Sequence, residues 1–86
     1  MSKNYALSDI TDALGGRIIG DNTTIISRVS SLQNAKSGDI CFINDAKYQK
    51  SLADSLCSAV VLREKYAQLT SLPRVIVDNP YAYFAK

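Results

Sequence analysis

The run Gly38-Asp39-Ile40-Cys41-Phe42-Ile43-Asn44-Asp45-Ala46-Lys47-Tyr48 decides the fold. Lys36-Ser37-Gly38-Asp39 has the chemistry of a tight turn, and Ile40 to Ile43 reads as an apolar strand. Asn44-Asp45 ends that strand and supplies a cap for a helix predicted over Ala46 to Ser55. On that helix Tyr48, Leu52 and Leu56 fall at i, i+4 and i+8, one face. A strand that runs directly into a helix predicts a sheet with helices packed on it.

Downstream, Ala59 to Leu62 is a four-residue apolar run of the kind buried on both faces. A short helical segment over Glu64 to Leu69 is closed by Leu72-Pro73, and Arg74 to Val77 reads as a further buried strand. Asp78-Asn79-Pro80 places an N-cap residue before a proline at the first helical position, which starts a helix through Tyr81 and Phe84. No stop signal follows, which predicts a polypeptide that continues past Lys86.

Upstream, Leu7, Ile10 and Leu14 share a helical face. Ser8 is the expected cap of a helix over Asp9 to Leu14, Asp9 and Asp12 suit its start, and Gly15-Gly16 supply the stop. Arg17 to Gly20 and Thr24 to Val29, joined by a turn at Asp21-Asn22, predict a hairpin, and Ser30-Ser31 leads through a short irregular or helical piece to Ala35. The expected fold class is α/β, a small mixed sheet of about five short strands with flanking helices.

A chain of 86 residues with 47% hydrophobic and 21% charged side chains, 4 Gly and 2 Pro has room for one compact core. Its 10 basic and 8 acidic residues give a net charge of +2 and are scattered. That argues against nucleic acid or an anionic membrane surface as partner, since both demand clustered Lys and Arg. The apolar run Ala59 to Leu62 is far below the ~20 residues of a membrane span. No secretory leader follows Met1, so the cytoplasm is the expected compartment. Cys41 and Cys57 are too few for a disulfide framework and, with no His, make no zinc set; reduced, partly buried thiols are expected, with no metal and no cofactor.

The lack of His also removes the commonest general base near neutral pH and any Ser-His or Cys-His pair. Gly15-Gly16-Arg17-Ile18-Ile19-Gly20 lacks phosphate-loop spacing and leads from helix to strand, so it reads as a helix stop and a bend. What remains is the opening stretch. Ligands of α/β sheets collect outside the carboxyl ends of strands, where Phe42 and Tyr48 can bracket a flat ring. Stacking a base on an aromatic side chain is worth about 1–3 kcal/mol. The same spacing also fits Phe42 facing the core and Tyr48 on the apolar stripe of the helix. Asn44 and Asp45 fit turn and cap roles, yet they also offer polar groups to a base. The uracil edge presents an N–H flanked by two carbonyl oxygens, which an Asn amide matches, whereas an ionised Asp only accepts. Lys47 and Lys50 are candidates for a diphosphate or for plain solvation of a helix face.

These residues, taken in order with Leu7-Ser8-Asp9-Ile10, Leu14-Gly15-Gly16, Gly20-Asp21, Ser30-Ser31-Leu32, Ser58-Ala59-Val60-Val61-Leu62 and Val77-Asp78-Asn79-Pro80-Tyr81, resemble one known domain. It is the N-terminal domain of the UDP-3-O-acylglucosamine N-acyltransferase family, similar in fold to the first domain of the Mur ligases. The ordered set carries the resemblance, across nearly the whole chain. It implies that residues 1–86 are a uridine-binding domain of a homotrimeric enzyme of lipid A synthesis. The family moves a 3-hydroxyacyl group from acyl carrier protein to the 2-amine of UDP-3-O-acylglucosamine. That reaction runs in a left-handed β-helix of hexapeptide repeats with a histidine base, expected beyond residue 86, so residues 1–86 alone are expected to be inert.

By position, the resemblance puts the family's aromatic pair around uracil on Phe42 and Tyr48. The family's Asn-Pro-Lys-Tyr corresponds to Asp45-Ala46-Lys47-Tyr48, so Asp45 stands where an amide would read uracil. Its carboxylate would face a carbonyl oxygen with like partial charge; either Asn44 compensates or uridine binds more weakly, and weak binding that Asp45→Asn tightens is the expectation. Two other readings stand beside this one. The first domains of Mur ligases also have a Gly-Asp-aromatic strand and UDP substrates, and a contact module that only orients its neighbour in the trimer would show no nucleotide site.

Overall fold

The structure, a computed structural model, describes residues 4–83 apart from the side chain of Tyr81. The elements run β1 (Tyr5–Ala6), α1 (Leu7–Leu14), β2 (Arg17–Ile19), β3 (Ile25–Ile26), β4 (Arg28–Val29) and β5 (Asp39–Phe42). A 3-10 turn (Ala46–Tyr48) then leads into α2 (Gln49–Asp54), β6 (Ala59–Leu62), a second 3-10 segment (Glu64–Leu69), β7 (Arg74–Ile76) and α3 (Pro80–Tyr83). Five strands form a mixed sheet in the order β2-β7-β6-β5-β4, with β4 to β7 parallel to one another and β2 antiparallel on the far edge. The α/β class and the five-stranded sheet are as the sequence predicts.

Period-2 burial explains why these segments are strands. Ile40, Ala59, Val61 and Val75 point to one face, where they meet Leu7 and Ile10 of α1 and Tyr83 of α3. Cys41, Ile43, Val60, Leu62 and Ile76 point to the other, where Leu32, Leu52, Cys57 and Ala67 cover them. Residues of both faces are needed on β6, and all four of its side chains are fully buried. That is the signature of a central parallel strand with cover on both sides.

The expected hairpin does not form. β2 pairs antiparallel with β7 (Arg17↔Ile76), while the β-branched run after the turn splits at Ser27 and serves two sheets. Its first half, β3, pairs with β1 (Ala6↔Ile25); its second half, β4, pairs parallel with β5 (Arg28↔Asp39). The physical reason is burial. Against β7 the two faces of β2 put Ile18 and Ile19 onto the two core clusters, a gain a two-stranded ribbon cannot offer. The turn itself closes on Asp21, whose carboxylate accepts the Thr23 N–H at 2.9 Å and whose carbonyl accepts the Thr24 hydroxyl at 2.8 Å.

That turn also explains the start of α1, which begins at Leu7 and not at Asp9. The Leu7 and Ser8 N–H groups donate to the carbonyls of Thr24 (2.9 Å) and Asn22 (3.0 Å), so the Ser8 hydroxyl is not needed as a cap. Ala6 holds the N-cap position, and the Asp9 carboxylate accepts its N–H at 3.1 Å. At the other end Gly15 donates to Thr11 O at 2.7 Å, and Gly16, at φ +100°, lies so close to the sheet that a Cβ there would come within 2.7 Å of Val75 Cγ1. The Tyr83 hydroxyl donates to Gly15 O at 2.6 Å and ties α3 to the same corner.

Two further expectations change. α2 stops at Asp54 and Ser55 is extended, so Leu56 leaves the helical stripe and is 72% exposed. Cys41 and Cys57 are free and fully buried, not partly so. The predicted helix start at Pro80 is present with Asn79 as its cap, while Phe84 lies outside the described residues.

Candidate functional site

Because β4 and β5 run parallel, their carboxyl ends lie side by side and the loops that leave them face one cavity. Its volume is about 410 Å³, and its lining is Val29 to Gln33 from the first loop, Phe42 to Asn44 from the second, and Tyr48. Phe42 packs against the cluster on the α1 face and Tyr48 against the cluster on the α2 face. The end of the sheet therefore receives one ring from each side. The Ile43 N–H, bonded to Val61 O at 3.0 Å, holds the second loop in the ladder as far as the cavity.

Asn44 is the lining residue with a buried polar atom left unpaired. It is half-buried, and its Oδ1 is buried with no hydrogen-bond partner. A buried acceptor left unpaired costs about 1–3 kcal/mol, and folded proteins leave few of them. Asp45, its neighbour, is exposed and outside the lining; its carboxylate accepts the Lys47 N–H at 3.0 Å and so caps the 3-10 turn. Lys47 and Lys50 are exposed, and the Lys47 ammonium stands 5.3 Å over the Tyr48 ring. Of the sequence candidates, then, Phe42, Asn44 and Tyr48 come together at the cavity, while Asp45 and Lys47 sit on its outer turn.

Asp39 escaped the sequence reading, which took it for a turn residue. It is 2% exposed and accepts Arg28 Nε at 2.8 Å, Ser30 Oγ at 2.8 Å and the Lys36 N–H at 2.9 Å. The Arg28 guanidinium, helped by the Lys36 and Ser30 donors against the cost of burial, holds its carboxyl well below the usual carboxylate range. Asp39 in turn raises the Arg28 pKa. Only the parallel β4–β5 register, which sets Arg28 opposite Asp39, brings these residues together, and nothing local signals it.

Comparison with known proteins bears on this geometry. A sequence model of the family described as UDP-3-O-(3-hydroxymyristoyl) glucosamine N-acyltransferase, LpxD, matches residues 23–86. A UDP-3-O-acylglucosamine N-acyltransferase of Methylobacillus flagellatus is 49% identical over 86 residues, which cover 100% of this chain and 25% of the relative. Proteins of the same name from Aromatoleum aromaticum (40% over 82 residues, 95% and 24%) and Dechloromonas aromatica (44% over 80 residues, 93% and 23%) match similarly. The chain thus spans about a quarter of the length of these relatives. The matches favour the acyltransferase over the Mur ligase reading. With the family match running from Thr23 to the last residue, and relatives aligned across the whole sequence, this chain belongs to the UDP-3-O-acylglucosamine N-acyltransferase (LpxD) family.

Proposed function

We propose that residues 1–86 hold the uracil ring of a UDP-linked, 3-O-acylated glucosamine for an N-acyltransferase whose catalytic β-helix follows them. The observation that carries the reading is the strand-end cavity itself, walled by Phe42 and Tyr48 and lined by Asn44, whose buried Oδ1 has no hydrogen-bond partner. A volume of about 410 Å³ falls within the roughly 300–1,000 Å³ of small-molecule sites. In the proposed pose the uracil ring lies between the two aromatic side chains and the Asn44 side chain turns toward it, so that N3–H donates to Oδ1 and the Asn44 amide donates to a flanking carbonyl. Lys47, whose ammonium stands over the Tyr48 ring, is the cation proposed to meet the diphosphate. Asp45 serves the turn and leaves the base to Asn44.

The rest of the function follows the family. The acyl donor is acyl carrier protein, the acceptor is the glucosamine 2-amine, the assembly is a homotrimer, and the product serves lipid A synthesis in the cytoplasm. The sequence has no His, and among the described residues the cavity lining holds no carboxylate, amine or thiol to take a proton from an amine, which supports a role for these residues in binding. Among the described residues no helix is long and apolar enough to cross a membrane.

Calorimetric titration of the 86-residue chain with UMP and with CMP tests the reading. Cytosine offers a lone pair at N3 where uracil offers a proton, so it leaves Oδ1 facing another acceptor. UMP is expected to bind roughly tenfold more tightly than CMP, and Asn44→Ala to remove most of that difference. Equal binding of the two nucleotides, or an Asn44→Ala chain that binds UMP as before, would overturn the assignment. Acyl transfer by the 86-residue chain would overturn the division of labour.

A further inference from the structure

One wall of the cavity, Val29 to Gln33, is built from the end of a two-residue edge strand and an irregular loop, of which Leu32 alone is buried in the core. Donors from this segment and its flanks converge on one carboxylate. Arg28, just before the wall, reaches Asp39 Oδ1 at 2.8 Å; Ser30, within it, and the Lys36 N–H, after it, reach Oδ2 at 2.8 and 2.9 Å. Asp39 belongs to β5, an interior strand of the sheet, and is 2% exposed. Apart from this anchor, the wall is held by Ser30 N–H to Ile40 O (3.1 Å), by the Ser55 hydroxyl donating to Leu32 O (2.9 Å) and by the turn bond from Asn34 N–H to Ser31 O (3.2 Å).

We propose that Asp39 is a positioning residue for the base-binding cavity: its two oxygens clamp the β4 edge and the following loop to the sheet interior. This rests on the uridine reading. Asp39 does not line the cavity and touches no ligand; it acts through Ser30 and the backbone on either side. An ionised carboxylate is what the geometry demands, because three donors arrive on two oxygens and an amide would offer only one oxygen.

The test compares Asp39→Asn and Arg28→Gln with the unsubstituted chain and with Val75→Ala, a core substitution on β7 away from the cavity. Amide hydrogen exchange is measured without ligand, and UMP affinity by calorimetry. Arg28 has a side chain 57% exposed and does not line the cavity, so Arg28→Gln keeps both arms informative even if Asp39→Asn fails to fold. Asp39→Asn and Arg28→Gln are expected to speed exchange at Ser30 and Asn34 about tenfold relative to Val60 and Val77, and to weaken UMP binding about tenfold. Val75→Ala should speed all amides together and leave the UMP affinity of the folded chain unchanged. Wall amides that merely follow the rest of the sheet, or undiminished UMP binding in Arg28→Gln, overturn the inference. Failure of the unsubstituted chain to bind UMP overturns the uridine reading instead, and the exchange measurement still decides whether Asp39 fixes the wall.

Discussion

Asn44 and Asp45 are adjacent and similar in shape, but Asn44 lines the cavity and Asp45 does not. Asp45 turns outward and satisfies the Lys47 N–H, a bond that Asn would make equally well. Asp45→Asn is therefore expected to change UMP affinity by less than about twofold, in contrast to the tightening that the family pattern alone predicts; a calorimetric titration of that variant distinguishes the two. Asp39 contributes to the acid behaviour, beside Asp21, whose carboxyl the Thr23 hydrogen bonds also hold down. The Asp39 carboxyl titrates lower in the folded chain than the ~3.9 of an unfolded Asp, so the unfolded state binds more protons and stability rises with pH across that window. The stabilisation is complete above about pH 4 and is lost as pH falls toward the folded value. Melting followed by circular dichroism should show Tm dropping below about pH 4, and Asp39→Asn, less stable at pH 7, should drop less steeply over the same range.

At the scale of elements, the strand-to-helix unit from Ile40 to Asp54 was legible because each of its signals is local: turn residues, an apolar strand, a cap, a helical spacing. β6 was legible from composition alone. The hairpin was misread because pairing is a contest among partners distant in sequence, and Val75 and Ile76 of β7 outcompete the nearer run from Thr24 to Val29. Local chemistry does not rank those partners. The same limit hid Asp39, whose meaning depends on a parallel register across eleven residues. Two substitutions probe the elements. Leu52→Ala, at the centre of α2 and 1% exposed, is expected to cost about 2–5 kcal/mol in chemical denaturation. Gly16→Ala meets both a left-handed φ of +100° and the 2.7 Å approach to Val75 Cγ1, and is expected to cost about 1–3 kcal/mol by the same measurement.

In the molecule as a whole, the sheet divides the interior into two apolar clusters, and the cavity opens where the end of the sheet lets side chains of both clusters meet. The site is thus a property of the entire fold: Phe42 is held by the α1 face, Tyr48 by the α2 face, and the intervening loop by the ladder to β6. Cys41 and Cys57 lie inside the α2-face cluster, 0% and 4% exposed, where a reagent cannot reach either sulfur. Both thiols are expected to resist a disulfide reagent such as dithiobisnitrobenzoate in the native chain and to react at the rate of unfolding when denaturant is added; fast labelling of the native chain would contradict the burial. The central claim is that the strand-end cavity binds the base. Its most direct test is a titration of the isotopically labelled 86-residue chain with UMP, followed by amide chemical shifts. Saturable shifts centred on Phe42 to Tyr48 and Ser30 to Gln33 are the predicted result, and an unmoved spectrum at millimolar UMP would contradict it.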